Sequence, residues 1–147
     1  MKTKAGWILL IVLLTLSSYA TAAPDPNFYV FLCFGQSNMQ GYPGIEDQDK
    51  AVVNDRFEML ATVDFPSHNR TKGNWYNAVP PLCRPNSGIS PADYFGRTLA
   101  DTLPDTIKIG VVNVSVAGCS IELFEKDSYQ SYADTSASWM KNIIKTY

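Results

Sequence analysis

The chain has 147 residues, with twelve lysines and arginines against fourteen aspartates and glutamates, a formal net charge of −2. Hydrophobic residues make up 46% and charged residues 18%, the balance of an ordinary globular domain. Basic residues do not cluster, so the charge pattern gives no reason to expect nucleic acid as a partner.

At the N-terminus, Lys2 and Lys4 precede an apolar stretch from Trp7 to Leu16, and Ala20-Thr21-Ala22 then offers small residues where a signal peptidase reads. Residues 1–22 are therefore expected to be a secretory signal cleaved after Ala22, leaving residues 23–147 as a secreted or periplasmic product. The apolar stretch is short for a membrane span, no later segment resembles one, and no cysteine stands directly after Ala22 to take a lipid anchor. Losing Lys2 and Lys4 leaves ten basic residues against fourteen acidic ones, a net charge of −4.

The apolar run Phe28 to Phe34 reads as a buried strand, and Gly35-Gln36-Ser37-Asn38-Met39-Gln40-Gly41 follows it directly. One hydroxyl, that of Ser37, thus stands at a strand end between glycines that let the backbone turn sharply, where a nucleophile is usefully held. A serine in a glycine-flanked turn also commonly does no more than bond nearby backbone. The spacing departs from G-x-S-x-G, because Met39 stands where the second glycine would be. On spacing alone both readings stay open.

Arg56 to Val63 suggests a second strand, although Glu58 and Leu60 blur its alternation. Asp64 to Ser90 is rich in Pro, Asn, Gly and Ser and is expected to be loop, of a length that suits a substrate-facing wall. A helix is predicted from Pro91 to about Leu103, with Ser90 as its cap, proline first, Asp93 in the first turn, and Phe95, Leu99 and Leu103 along one face. Pro104 stops it. Ile107 to Ser115 is a Val- and Ile-rich buried strand, strongest over Val111 to Val116, and it runs into Val116-Ala117-Gly118-Cys119-Ser120-Ile121-Glu122. A last helix is predicted from near Asp134 and Thr135, with Trp139, Ile143 and Ile144 on one side. This strand, helix, strand order predicts an α/β fold with a parallel sheet.

The string GQSNMQG resembles the first block of the SGNH-type esterases, in the branch that holds sialate O-acetylesterases and the acetyl xylan esterases of carbohydrate esterase family six. In that branch the serine of GQSN attacks an acetyl ester. The stretch Ala117-Gly118-Cys119-Ser120-Ile121 is similar to the second block, usually GGTSI, with Ala117 and Cys119 in place of a glycine and a threonine. The resemblance runs from about Phe28 to the last residue and includes Pro81-Leu82-Cys83-Arg84-Pro85-Asn86-Ser87-Gly88. It implies a three-layer α/β sandwich of the SGNH, flavodoxin-like kind, with Ser37 catalytic, the backbone N–H groups of Ser37 and Gly118 on the oxyanion, and Gln36 and Asn38 as candidates for supporting roles. An acetylated carbohydrate would be the substrate, and an acyl-enzyme the intermediate.

A serine needs a base, usually histidine. The one histidine here, His68, lies in the long polar loop, whereas the family's comes from a D-x-x-H motif near the end of the domain. That motif is missing, as is the HQGESN string expected after the second block, and by analogy both belong after Tyr147. The expectation is a chain that stops before its base and by itself is inactive or nearly so. A minimal esterase in which His68 folds back to Ser37 is the other esterase account, and an exported carbohydrate-binding or scaffold module using Trp75, Tyr76 and Tyr94 as stacking platforms is the non-catalytic alternative. Cys33 is expected in the core, and Cys83 with Cys119 is a candidate bridge. No His, Cys and carboxylate set has metal-ligand spacing, so no cofactor or metal is expected. Asn69-Arg70-Thr71 and Asn113-Val114-Ser115 match a glycosylation pattern, the second inside a predicted buried strand and so by accident.

Overall fold

The structure is a computed structural model, and it describes residues 23–51 and 54–124. The expected signal segment and the helix expected from Asp134 lie outside the described residues. Four strands form one sheet: β1 (Phe28–Cys33), β2 (Phe57–Leu60), β3 (Trp75–Asn77) and β4 (Lys108–Asn113), in the order β1-β4-β2-β3. β4 pairs parallel with both β1 and β2, and β2 pairs antiparallel with β3. The mixed, mostly parallel sheet makes the fold α/β, as expected of an SGNH-like domain.

The central strand explains itself. From Ile109 to Asn113 every residue of β4 is buried, as a central strand flanked on both edges and covered on both faces should be. Gly110 has no side chain, and the rings of Phe28 and Trp75 meet over it with centroids 4.8 Å apart. A Cβ there would lie 2.7 Å from the Phe28 ring.

Two helices are regular. The first, α1, is the single turn Ser37–Gln40, which begins at the serine itself. The second, α2 (Pro91–Thr102), follows Ser90, whose N–H and hydroxyl both donate to Asp93 Oδ2 at 2.8 Å and so stop the first turn from fraying. Ala92 and Ala100 of α2 join the core built by Cys33, Phe57, Met59, Phe65, Ile109 and Val111. Phe95, placed by its spacing on the inward face, is 43% exposed and meets the Phe31 ring edge-on at 5.1 Å, so it caps the core's margin.

Several expectations need correction. The first strand is not buried: β1 ends the strand order of the described sheet, pairs with β4 on one side, and leaves Tyr29, Val30 and Leu32 exposed. The second strand is shorter than Arg56 to Val63, because Ala61 and Thr62 leave the ladder while staying buried. The stretch Asp64 to Ser90 is not wholly loop: it holds a tight turn at Pro66–His68 and the strand β3. Tyr76 faces Met59 and Trp75 faces Leu60, and cross-strand pairing of these large rings outweighs the turn-rich composition around them. The Cys83–Cys119 bridge does not form either. All three cysteines are free and buried, with Cys83 Sγ against the Ser115 carbonyl at 3.3 Å and Cys119 Sγ against that of Gly35 at 3.6 Å. Among the described residues no helix is long and apolar enough to cross a membrane.

Candidate active site

Parallel pairing of β1 with β4 sends both strands out of the same end of the sheet, and the pairing continues beyond the strands. Val114 N–H donates to the Cys33 carbonyl at 2.9 Å and Val116 N–H to that of Gly35 at 2.9 Å. The bend 114–118 is thereby laid alongside the turn that carries Ser37. Sequence reasoning placed Ser37 and Gly118 in separate motifs, and the strand pairing brings those two segments together.

α1 closes with Gln40 N–H on the Gln36 carbonyl at 2.9 Å and Gly41 N–H on that of Ser37 at 3.1 Å. Met39 turns inward and packs on the core, half-buried. This accounts for the methionine at the second glycine position of the elbow pattern: the side chain roots a one-turn helix that is too short to hold itself. Gly41 then leaves the turn at φ 105°, and a Cβ there would lie 2.4 Å from the Gly88 carbonyl oxygen, so only glycine fits. Gly88 N–H closes the contact on the Gly41 carbonyl at 2.8 Å.

Ser37 is half-buried, and among the described residues its hydroxyl has no hydrogen-bond partner. Gln36 and Asn38 on either side are exposed. Gly118 is exposed in the turn Ala117-Gly118 at φ 74°. The preceding amide is held: Ala117 N–H donates to Gln40 Oε1 at 2.7 Å. Under the bend, Asn113 Nδ2 donates to the Met39 carbonyl at 2.8 Å, and Asn113 Oδ1 accepts from Ser115 N–H at 3.2 Å and from its hydroxyl at 2.7 Å. Arg84 Nη2 donates to the Ser115 carbonyl at 2.9 Å from the far side. Burial pushes the Cys83 thiol up to about 11 and raises the Cys33 and Cys119 thiols as well, so all three stay protonated and poorly nucleophilic at neutral pH.

Asn113, Gln40 and Arg84 were not singled out from the sequence. A polar residue ending an otherwise apolar central strand was the available signal for Asn113, and it was read only as an accidental glycosylation match.

His68 is exposed in the turn Pro66–His68, with Ser67 Oγ 3.0 Å from its Nδ1 and its ring edge-on to Phe65 at 6.1 Å. That turn follows β2, which is separated from β1 by β4, roughly 10 Å across the sheet. No hydrogen bond among the described residues joins His68 to Ser37. The three candidate stacking rings are engaged elsewhere: Trp75 packs on Phe28, the Tyr76 hydroxyl accepts from Thr71 N–H at 2.8 Å, and the Tyr94 hydroxyl donates to Asp49 at 2.7 Å. Among the described residues no cluster of His, Cys, Asp and Glu could hold a metal ion.

Two comparisons with known proteins bear on this geometry. The family model described as carbohydrate esterase, sialic acid-specific acetylesterase matches residues 27–146. A crystal structure of a protein from Arabidopsis thaliana superposes with a TM-score of 0.51 at 24% identity, over 71% of this chain, and shares its fold. The matched region spans 47% of that protein's chain.

Proposed function

The chain belongs to the carbohydrate esterase, sialic acid-specific acetylesterase family, and from that premise we propose that it carries the nucleophile of a serine O-acetylesterase acting on acetylated carbohydrate. One observation supports this reading above the rest: the Ser37 hydroxyl, at the sheet end where β1 and β4 emerge together, lies beside the 114–118 segment with no hydrogen-bond partner among the described residues.

In this reading Ser37 Oγ attacks the acetyl carbonyl carbon while a base takes its proton. The carbonyl oxygen gains the negative charge and accepts hydrogen bonds from the backbone N–H groups of Ser37 and Gly118. The bond to the sugar oxygen then breaks, that oxygen takes the proton, and the acetyl group stays on Ser37 until water, deprotonated by the same base, releases it as acetate. His68 is held in its own turn, so we assign the base to a residue outside the described ones. Gln36 and Asn38 border the nucleophile on its open side, where they would meet the substrate. Export through the segment from Lys2 to Ala22 would place this chemistry outside the cytoplasm, where acetylated polysaccharide is met.

Acetate release from acetylated oligosaccharide tests the proposal. In a protein that also carries the base, acetate should be liberated, and Ser37→Ala should abolish it. Saccharide binding that survives Ser37→Ala with no acetate from either protein would favour the non-catalytic module.

A further inference from the structure

We propose that the carboxamides of Asn113 and Gln40 form a two-bond clamp that positions the nucleophile turn against the oxyanion bend. The inference rests on the esterase reading above and adds two positioning residues to it. Neither side chain would touch the reacting atoms.

α1 has one turn, and a turn of this length is marginal alone, because few of its carbonyls find partners inside it. Its direction, and with it that of the Ser37 hydroxyl, must be fixed from outside. Met39 fixes its depth. The two carboxamides fix its position relative to the 114–118 segment, and they do so in opposite senses. Asn113, at the end of β4, donates from Nδ2 to the Met39 carbonyl at 2.8 Å. Gln40, at the end of α1, accepts at Oε1 from Ala117 N–H at 2.7 Å. That amide directly precedes Gly118, so the second bond holds the backbone that would present the oxyanion donor.

The surroundings of Asn113 show how tightly it is itself placed. It is 0% exposed, and every polar atom of its side chain is used. Its backbone carbonyl accepts from the Thr62 hydroxyl at 3.1 Å, and its Cα stands opposite Cys33, the last residue before the nucleophile loop. An apolar residue would suit the end of a buried strand better, since burying an amide is costly unless every bond is made. Here two of the bonds hold Ser115 in the bend, and the third joins residues 39 and 113, far apart in sequence, at the two halves of the site. A displacement of the order of 1 Å in such a geometry costs roughly a hundredfold in rate.

The test compares Gln40→Ala, Asn113→Ala and the acceptor-preserving Gln40→Glu in a protein that also carries the base, reading residue-resolved amide exchange together with steady-state ester hydrolysis. Both alanine variants should speed exchange at the Gln40 and Gly41 amides about tenfold or more, with the α2 amides unchanged. They should also lower kcat about 10- to 100-fold at constant KM. Gln40→Glu should match the wild type in both. Gln40 is half-buried, so its variants decide the matter even where Asn113→Ala does not fold. Wild-type exchange at Gln40 and Gly41 in the alanine variants, or a rise shared equally by α2, overturns the clamp. A hydrolysis rate lost in Ser37→Ala but intact in Gln40→Ala overturns it too, and leaves the esterase reading standing. Faster local exchange in a protein whose hydrolysis ignores Ser37→Ala does the reverse: the clamp stands and the esterase reading falls.

Discussion

The turn that carries Ser37 and the turn that carries His68 are both short, polar and attached to strand ends, yet they are built to opposite purposes. The first is tied to the rest of the molecule through its backbone and its flanking residues, by Met39 in the core, Gly41 against Gly88, and the Asn113 and Gln40 carboxamides. Its hydroxyl is left unengaged among the described residues. The second is closed on itself, by the Phe65–Arg70 bridge and by Ser67 on the His68 ring. Where a backbone is over-determined and one side chain is spared, that side chain is available for chemistry. Where the side chain itself takes part in the local bonds, the turn is structural.

That contrast can be broken most severely at Gly41. Gly41→Ala puts a Cβ 2.4 Å from the Gly88 carbonyl oxygen at a φ of 105°, and we expect a loss of about 2–4 kcal/mol in urea unfolding. A change within 0.5 kcal/mol, the range of about ±0.5 typical of indifferent surface sites, would show that the nucleophile turn is not held as described.

Arg70→Met sharpens the contrast from the other side. Arg70 donates to the Pro81 carbonyl at 2.8 Å and to that of Val79 at 2.6 Å, and its guanidinium lies over the Phe65 ring at 5.6 Å. Its loss should cost about 1–3 kcal/mol of stability while leaving ester hydrolysis by the folded protein at the wild-type rate. A parallel fall in kcat would tie the histidine turn to the site and revive the account in which His68 serves Ser37.

The smallest expected effect concerns Asp93, which is fully buried on α2 with Oδ1 unpartnered among the described residues, and whose charge reaches both Cys33 and Arg70. Burial, the largest influence, raises its carboxyl above the usual range, while bonds from Ser90 pull the other way. A carboxyl raised on folding binds its proton more tightly in the folded state. Its contribution is therefore complete below the unfolded value of about 4 and fades as pH rises through the folded one. Urea midpoints should decline over that window in the wild type and run flatter in Asp93→Asn. Equal slopes would remove Asp93 as the cause.

Much of this was legible in the residues because the signals were local. Ser90, Pro91 and Asp93 announce the start of α2, Pro104 its end, and the apolar run at Ile109 announces a buried strand, whereas the run at Phe28 marks a strand that pairs with β4 but stays largely exposed. The motif at Ser37 marked the turn that carries the proposed nucleophile. What stayed hidden depends on partners distant in sequence. β3 is only three residues long and exists because Trp75 and Tyr76 find Leu60 and Met59 opposite. Sheet order is a global outcome that no segment encodes. Asn113 looks like a stray polar residue until Met39 is seen beside it, and Gln40 looks like part of a motif until the Ala117 amide is found at its tip.

The most direct measurement of the central claim is peptide mapping by mass spectrometry after exposing a protein that holds both this chain and its base to a serine-reactive fluorophosphonate. The account predicts a single adduct on the peptide containing Ser37, absent from Ser37→Ala and undiminished in His68→Ala. An adduct on a different serine, or an unmodified Ser37 in a protein that still releases acetate from acetylated saccharide, would contradict it.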